Sequence, residues 1–133
     1  MQNVWGKLRE LAHTVVVWTK PPSSGLAGTD GQHIWIDPSL SSTEKRCVLA
    51  HEIFHLVAGH TTCQPPTVER QLRLEVARFL IPYEDLRRVA GWATCPAEMA
   101  EELNVIEQVV LDRLATLDGD QLQELWPPSE HIA

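Results

Sequence analysis

The sequence predicts a small α+β protein in which a short antiparallel sheet packs on one buried helix, with a helical cap toward the C-terminus. Three observations predict it. Runs rich in β-branched residues are confined to the first third of the chain, at residues 14–19 and 32–37. A helix-start signal at residues 41–44 opens a mostly apolar stretch that continues to Ala58. From residue 96 onward the apolar residues recur at helical spacing. At 133 residues with 44% hydrophobic content and no internal repeat, the chain can bury one core, so residues 1–133 are expected to form a single domain.

Residues 4–12 read as a helix, and Thr14-Val15-Val16-Val17-Trp18-Thr19 as a strand. Residues 20–31 contain Pro21, Pro22, Gly25, Gly28, Asp30 and Gly31 and read as a loop dense in turn formers. Gln32-His33-Ile34-Trp35-Ile36-Asp37 is a second strand, and the two are expected to pair as a hairpin. Ser41-Ser42-Thr43-Glu44 fits a capping box, with Ser41 as N-cap and Glu44 reaching back, so a helix is expected over residues 42–58 with Gly59 as its terminator. A further helix spans residues 67–81 and stops at Pro82. Residues 96–114 read as two short helices around a turn, within a cap extending to residue 126.

The helix over residues 42–58 contains His51-Glu52-Ile53-Phe54-His55. His51 and His55 project about 40° apart around the axis and one turn apart along it, so both imidazoles can reach one tetrahedral metal ion. Glu52 lies about 60° beyond His55, close enough to act on a reacting water but off the arc of a third ligand. Leu56, Leu49, Ile53, Val57 and Phe54 occupy the arc from about 140° to about 300°, leaving a narrow polar window for His51, Glu52 and His55. Polar groups facing inward without partners are costly, and a bound metal removes that cost. The pattern is that of a zinc hydrolase, with Glu52 as general base. The competing reading is a buried helix with two satisfied histidines.

Hydrolysis at zinc requires a third protein ligand and an open position. His60 gives a string close to the metzincin pattern, which however needs Gly at 58 and His at 61, where this chain has Ala58 and Thr61. On the wheel of residues 67–81, Leu72, Val76, Phe79 and Leu80 share a face and Glu69 falls within it, whereas Glu75 sits at its edge and Glu84 lies beyond Pro82. Glu69 is therefore favoured over Glu75, His60 and Cys63. An acidic residue near a helix start can also serve only the helix dipole.

Leu49-Ala50-His51-Glu52-Ile53-Phe54-His55 with Gly59-His60, and Glu69 followed by a helix closing on Leu80-Ile81-Pro82, resemble the two motifs of the ImmA/IrrE zinc metallopeptidases. The resemblance runs from about residue 15 to residue 117. It departs from the family at Leu72 and Arg73, where many members carry Ala-Asn, and in a connection of 13 residues between His55 and Glu69. It implies a zincin-like domain with one Zn2+ per chain on His51, His55 and Glu69. It also implies a protein substrate, a helix-turn-helix repressor of a mobile element or stress regulon that is relieved of repression by cleavage. In such folds the strand before the metal helix can rim the cleft and pair with an extended peptide, which here is residues 32–37. The alternatives are a regulator that keeps the fold but traps a repressor without cutting, and an interaction module in which zinc only holds the helices together. The intact Glu52 argues against both.

Charge narrows the partners. The chain carries a formal net charge of −7. Residues 96–126 hold Glu98, Glu101, Glu102, Glu107, Asp112, Asp118, Asp120 and Glu124 against one basic residue, Arg113, so the cap is not expected to contact nucleic acid despite its helix-turn-helix appearance. Its Ala97, Ala100, Leu103, Val109, Val110 and Leu114 are expected to pack on the metal domain. Its acidic face suits a basic partner such as a DNA-binding protein. No apolar run approaches the 18 or so residues of a membrane span and no signal peptide is apparent, so a cytoplasmic site without membrane contact is expected. Cys47, Cys63 and Cys95 are odd in number and lack a Cys-x-x-Cys pair, which fits thiols in a reducing compartment. Cys47, one turn before His51, is expected to pack. The oxyanion donor is open among Tyr83, His60 and His33. Trp5, Trp18, Trp35, Trp92 and Trp126 read as packing residues.

Overall fold

The computed structural model describes residues 4–9, 15–19, 27–30, 32–62 and 64–128. Its elements are α1 (Val4–Arg9), β1 (Val15–Val17), β2 (Ala27–Thr29), β3 (His33–Ile36), α2 (Ser42–Val57), α3 (Pro66–Leu80), α4 (Tyr83–Ala90), α5 (Pro96–Leu103), α6 (Glu107–Ala115) and α7 (Gly119–Leu125).

The sheet is three-stranded and mixed, in the order β1-β3-β2, and this corrects the antiparallel hairpin expected from sequence. β1 pairs with β3 in parallel, Val16 opposite Ile34, while β2 pairs with β3 antiparallel, Gly28 opposite Trp35. The reason lies in the stretch read as a loop, whose second half is itself a strand. Ala27–Thr29 forms one edge, and the chain then reverses through Asp30, whose Oδ1 accepts from the backbone N–H of Gln32 at 2.9 Å and of His33 at 2.8 Å. The Thr29 hydroxyl donates to the His33 carbonyl at 2.7 Å across the same turn. β3 thus returns through the middle of the sheet, running the same way as β1. Ile34 and Ile36 are fully buried while His33 and Trp35 are half-buried, and α2 lies against β2 and β3.

α2 starts where the capping box places it. The Glu44 backbone N–H donates to the Ser41 hydroxyl at 3.1 Å, and the Ser41 backbone N–H donates to the Glu44 carboxylate at 3.0 Å. The helix ends at Val57 with Ala58 as C-cap, and Gly59 follows at φ +79°, the left-handed conformation that a side chain resists. α3 opens on Pro66 at its first position and stops before Pro82, which starts α4 instead. α4 was not anticipated from the sequence, and α7 is a third helix within the helical cap expected over residues 96–126.

The two short helices of the cap are present as α5 and α6, separated by Asn104 in the left-handed region at φ 55°. Ala100, Leu103, Val109 and Val110 are buried and Leu114 is half-buried, whereas Ala97 is exposed and Met99 takes the inward place. Two buried arginines tie the cap to the rest. Arg46 of α2 donates to the carbonyls of Leu103 and Asn104, placing a cation at the C-terminal end of α5. Arg113 of α6 donates from Nε to the Ile81 carbonyl at 2.7 Å, satisfying a backbone acceptor at the end of α3. One cluster of buried residues runs from Val4 through Ile53, Val76 and Leu86 to Leu125. Four of the tryptophans depart from the packing role expected of them. Trp5, Trp18, Trp92 and Trp126 are 39% to 52% exposed, and Trp18 is covered mainly by Trp5, 5.8 Å away, and the Lys45 ammonium.

Candidate metal centre

α2 and α3 pack against each other, with Cys47 and Val48 of α2 lining one cavity together with Val76 of α3 and the Phe54 and Phe79 rings 5.5 Å apart at one side of the contact. That packing brings the first turn of α3 over the second half of α2. His51 and His55 direct their Nε2 atoms toward each other at 3.1 Å, with the rings edge to face. The Glu69 carboxylate meets both, Oε2 at 3.3 Å from His51 Nε2 and Oε1 at 2.9 Å from His55 Nε2. One ligand atom from each of the three lies within 4.8 Å of the others.

This donor set fits a tetrahedral zinc ion. With zinc bonded to nitrogen or carboxylate oxygen at about 2.0 to 2.2 Å, neighbouring ligand atoms stand about 3.3 Å apart. The observed separations of 2.9 to 3.3 Å lie at or just inside that spacing. The protonation states agree. Burial, reinforced by the neighbouring His55, lowers the pKa of His51, and burial likewise lowers that of His55, so both rings favour the neutral form that binds metal. Glu69 supplies the negative charge opposite them.

Glu52 is 7% exposed, and its carboxyl lies within electrostatic reach of Glu69. Burial, together with the Glu69 charge nearby, pushes its carboxyl up to about 7. A carboxyl held near neutrality both accepts and releases a proton readily, as an acid–base catalyst must.

His60 is not one of the three converging groups. Its backbone N–H donates to the His55 carbonyl at 2.9 Å, a bond made possible by the left-handed turn at Gly59, and its Nδ1 faces the Nδ1 of His55 at 2.9 Å. It therefore grips the far nitrogen of a ring whose Nε2 faces Glu69, which fixes the orientation and tautomer of that ring.

The other sequence candidates fall elsewhere. Glu75 is exposed at a pocket it lines with Phe54, Ala58 and His60 and is not one of the converging groups, and Glu84 is exposed beside Arg87. Cys63 lies outside the described residues. Cys47 is buried one turn before His51, where burial raises its thiol pKa and keeps it an apolar wall. His33 is engaged by Asp30 at the start of β3, and Tyr83 stands among the charges of Glu124, Arg87 and Asp118, so neither joins the cluster. Sequence reasoning missed Arg73, Gln108 and Asp112. Arg73 lies one turn beyond Glu69 on the same face of α3, and its charge reaches His51. It contacts the buried Asp112 of α6 at 3.4 Å, and Gln108 donates to the same carboxylate oxygen at 3.0 Å. The four-residue spacing from Glu69 was the available signal for Arg73.

No curated protein and no solved structure matches the chain. The profile of the IrrE N-terminal-like domain, a peptidase family, matches residues 12–115, which include β1 to β3, both helices of the histidine and glutamate cluster, and the cap through α6. With that profile covering most of the chain and a group able to hold a metal ion inside it, the protein belongs to the IrrE N-terminal-like domain family and has a metallopeptidase-type function.

Proposed function

We propose that this chain is a zinc-dependent endopeptidase that cuts a DNA-binding repressor protein, and that His51, His55 and Glu69 hold one zinc ion while Glu52 is the general base. The observation that carries the reading is the convergence of two neutral histidine nitrogens and a carboxylate, with a second, buried carboxyl nearby whose pKa is near neutrality. Zinc held by these three residues would supply Lewis acidity toward the scissile carbonyl and the attacking water. Glu52 takes the proton from that water as the carbon–oxygen bond forms. It then delivers the proton to the amide nitrogen as the carbon–nitrogen bond breaks, leaving a carboxylic acid and an amine. His60 holds the His55 ring in place throughout.

Charge supports a basic protein partner rather than nucleic acid. Glu98, Glu101, Glu102 and Glu107 are exposed on α5 and α6, whereas Arg113, the single basic residue of the cap, is buried against Ile81. A nucleic-acid surface needs the opposite balance. No helix among the described residues is long and apolar enough to cross a membrane. A cytoplasmic site of action is part of the same proposal.

The test compares wild type and Glu52→Gln, both zinc-loaded, against a candidate helix-turn-helix repressor. The variant keeps the size of the side chain and should keep its zinc. Its rate of fragment formation should fall by at least about 10²-fold. If both proteins relieve repression equally and neither yields fragments, the chain acts by trapping its partner and the peptidase reading is wrong.

A further inference from the structure

Beside His51, on the side away from His60, α2, α3 and α6 enclose a cavity of about 120 Å³. Its walls are Cys47 and Val48 of α2, Val76 of α3, and Ile106 and Val109 at the start of α6. Among the polar residues that also line it, Asp112 is engaged by Arg73 Nη2 at 3.4 Å and by Gln108 at 3.0 Å, while Arg73 Nε is buried without a hydrogen-bond partner. Asp112 is 6% exposed, so its charge is spent inside the protein. What remains for an incoming group is a mainly apolar surface that begins at a metal-ligand candidate.

We infer that this cavity is the specificity subsite of the enzyme and accepts a branched aliphatic side chain, of the size of leucine, isoleucine or valine, next to the scissile bond. This rests on the peptidase reading above. Size and wall chemistry choose the occupant. An apolar cavity of about 150 Å³ accommodates a benzene ring, so the smaller cavity here suits an aliphatic side chain better than an aromatic one. A charged side chain would lose its hydration against the apolar walls, and a cationic one would find Asp112 already engaged by Arg73 and Gln108. His51 forms part of the lining, so a side chain seated there holds its own backbone beside the triad. The cap is then part of the substrate site, since α6 closes the cavity and positions Asp112.

The test uses zinc-loaded protein and succinyl hydroxamates that differ only in the substituent on the carbon beside the carboxyl group: hydrogen, isobutyl, benzyl, carboxymethyl or aminobutyl. Affinity is read by calorimetry, so no knowledge of the natural substrate is needed. The isobutyl compound should bind at least about tenfold more tightly than the unsubstituted one, while the two charged compounds gain nothing over it. Val48→Phe, which fills the cavity, should shrink the isobutyl advantage to within about twofold, and Ile106→Ala, which enlarges it, should shift preference toward benzyl. Equal binding of the isobutyl and unsubstituted compounds overturns the subsite while leaving the metal centre standing. So does an isobutyl preference that persists unchanged in either variant, folded and zinc-loaded. If the unsubstituted hydroxamate fails to bind or the chain takes up no zinc, the metal-centre reading fails and the subsite falls with it.

Discussion

Glu69 and Glu75 lie on the same helix six residues apart, and their surroundings give opposite expectations. Glu69 bridges two histidines, whereas Glu75 is exposed and is not part of that group. Glu69→Gln should therefore lose zinc, measured by elemental analysis after reconstitution, while Glu75→Gln keeps one ion per chain. The reverse pattern would move the ligand and break the triad. Glu52 carries a separate signature in metal-free protein. Below its ordinary pKa of 4.5 the carboxyl is protonated whether the chain is folded or not, so its burial does not depend on pH. Between 4.5 and about 7 the unfolded chain releases the proton and the folded chain keeps it, so this group's contribution to stability declines as pH rises and levels off above about 7. The lowered pKa values of His51 and His55 act the other way. The comparison with Glu52→Gln isolates the carboxyl. Relative to wild type, the metal-free variant should gain stability steadily from pH 5 to pH 7 in urea titrations, and a constant difference would show that Glu52 is not held protonated.

The turn at Asn104 joins α5 to α6 and does more than reverse the chain. Its left-handed backbone ends α5, its side chain accepts from the Thr43 hydroxyl at the start of α2, and its carbonyl accepts from Arg46. Asn104→Gly and Asn104→Ala both delete the side-chain bond, but only alanine resists a positive φ. The alanine variant should be less stable than the glycine variant by about 1 kcal/mol in chemical denaturation, and equal stability would mean that the turn relaxes. Elements like α2 were readable in advance because their signals are local: the Ser41 and Glu44 box sets the start, and Gly59 sets the end. The placement of Glu69 was readable from the periodicity of α3, since a residue sharing a face with Leu72 and Val76 must meet whatever that face covers. β2 was not readable, because Ala27-Gly28-Thr29 lacks the β-branched run of β1 and becomes a strand only by pairing with β3. The partnership of Arg73 with Asp112 was hidden for a similar reason, since 39 residues separate them. The tryptophans misled because aromatic content reports the capacity to pack, and the folded surface decides how much of it is used.

Across the molecule, α3 faces two ways. One end carries Glu69 against α2, and one turn later Arg73 reaches Asp112 on α6, while the far end of the helix is held by Arg113. The cap and the metal centre are thus two loads on a single rod. Whatever fixes Glu69 restrains the azimuth of α3 and so steadies the surface on which α6 rests, and linkage makes the effect mutual. Zinc loading should accordingly slow amide hydrogen exchange in α6, at Val109 and Val110, as well as in α3, although neither residue belongs to the triad. Protection confined to α2 and α3 would show that the two ends of the rod are uncoupled. In the coupled case, a partner that grips the acidic outer face of the cap would tighten the hold on zinc from a distance, so that capture of a substrate and readiness to cut it become one equilibrium.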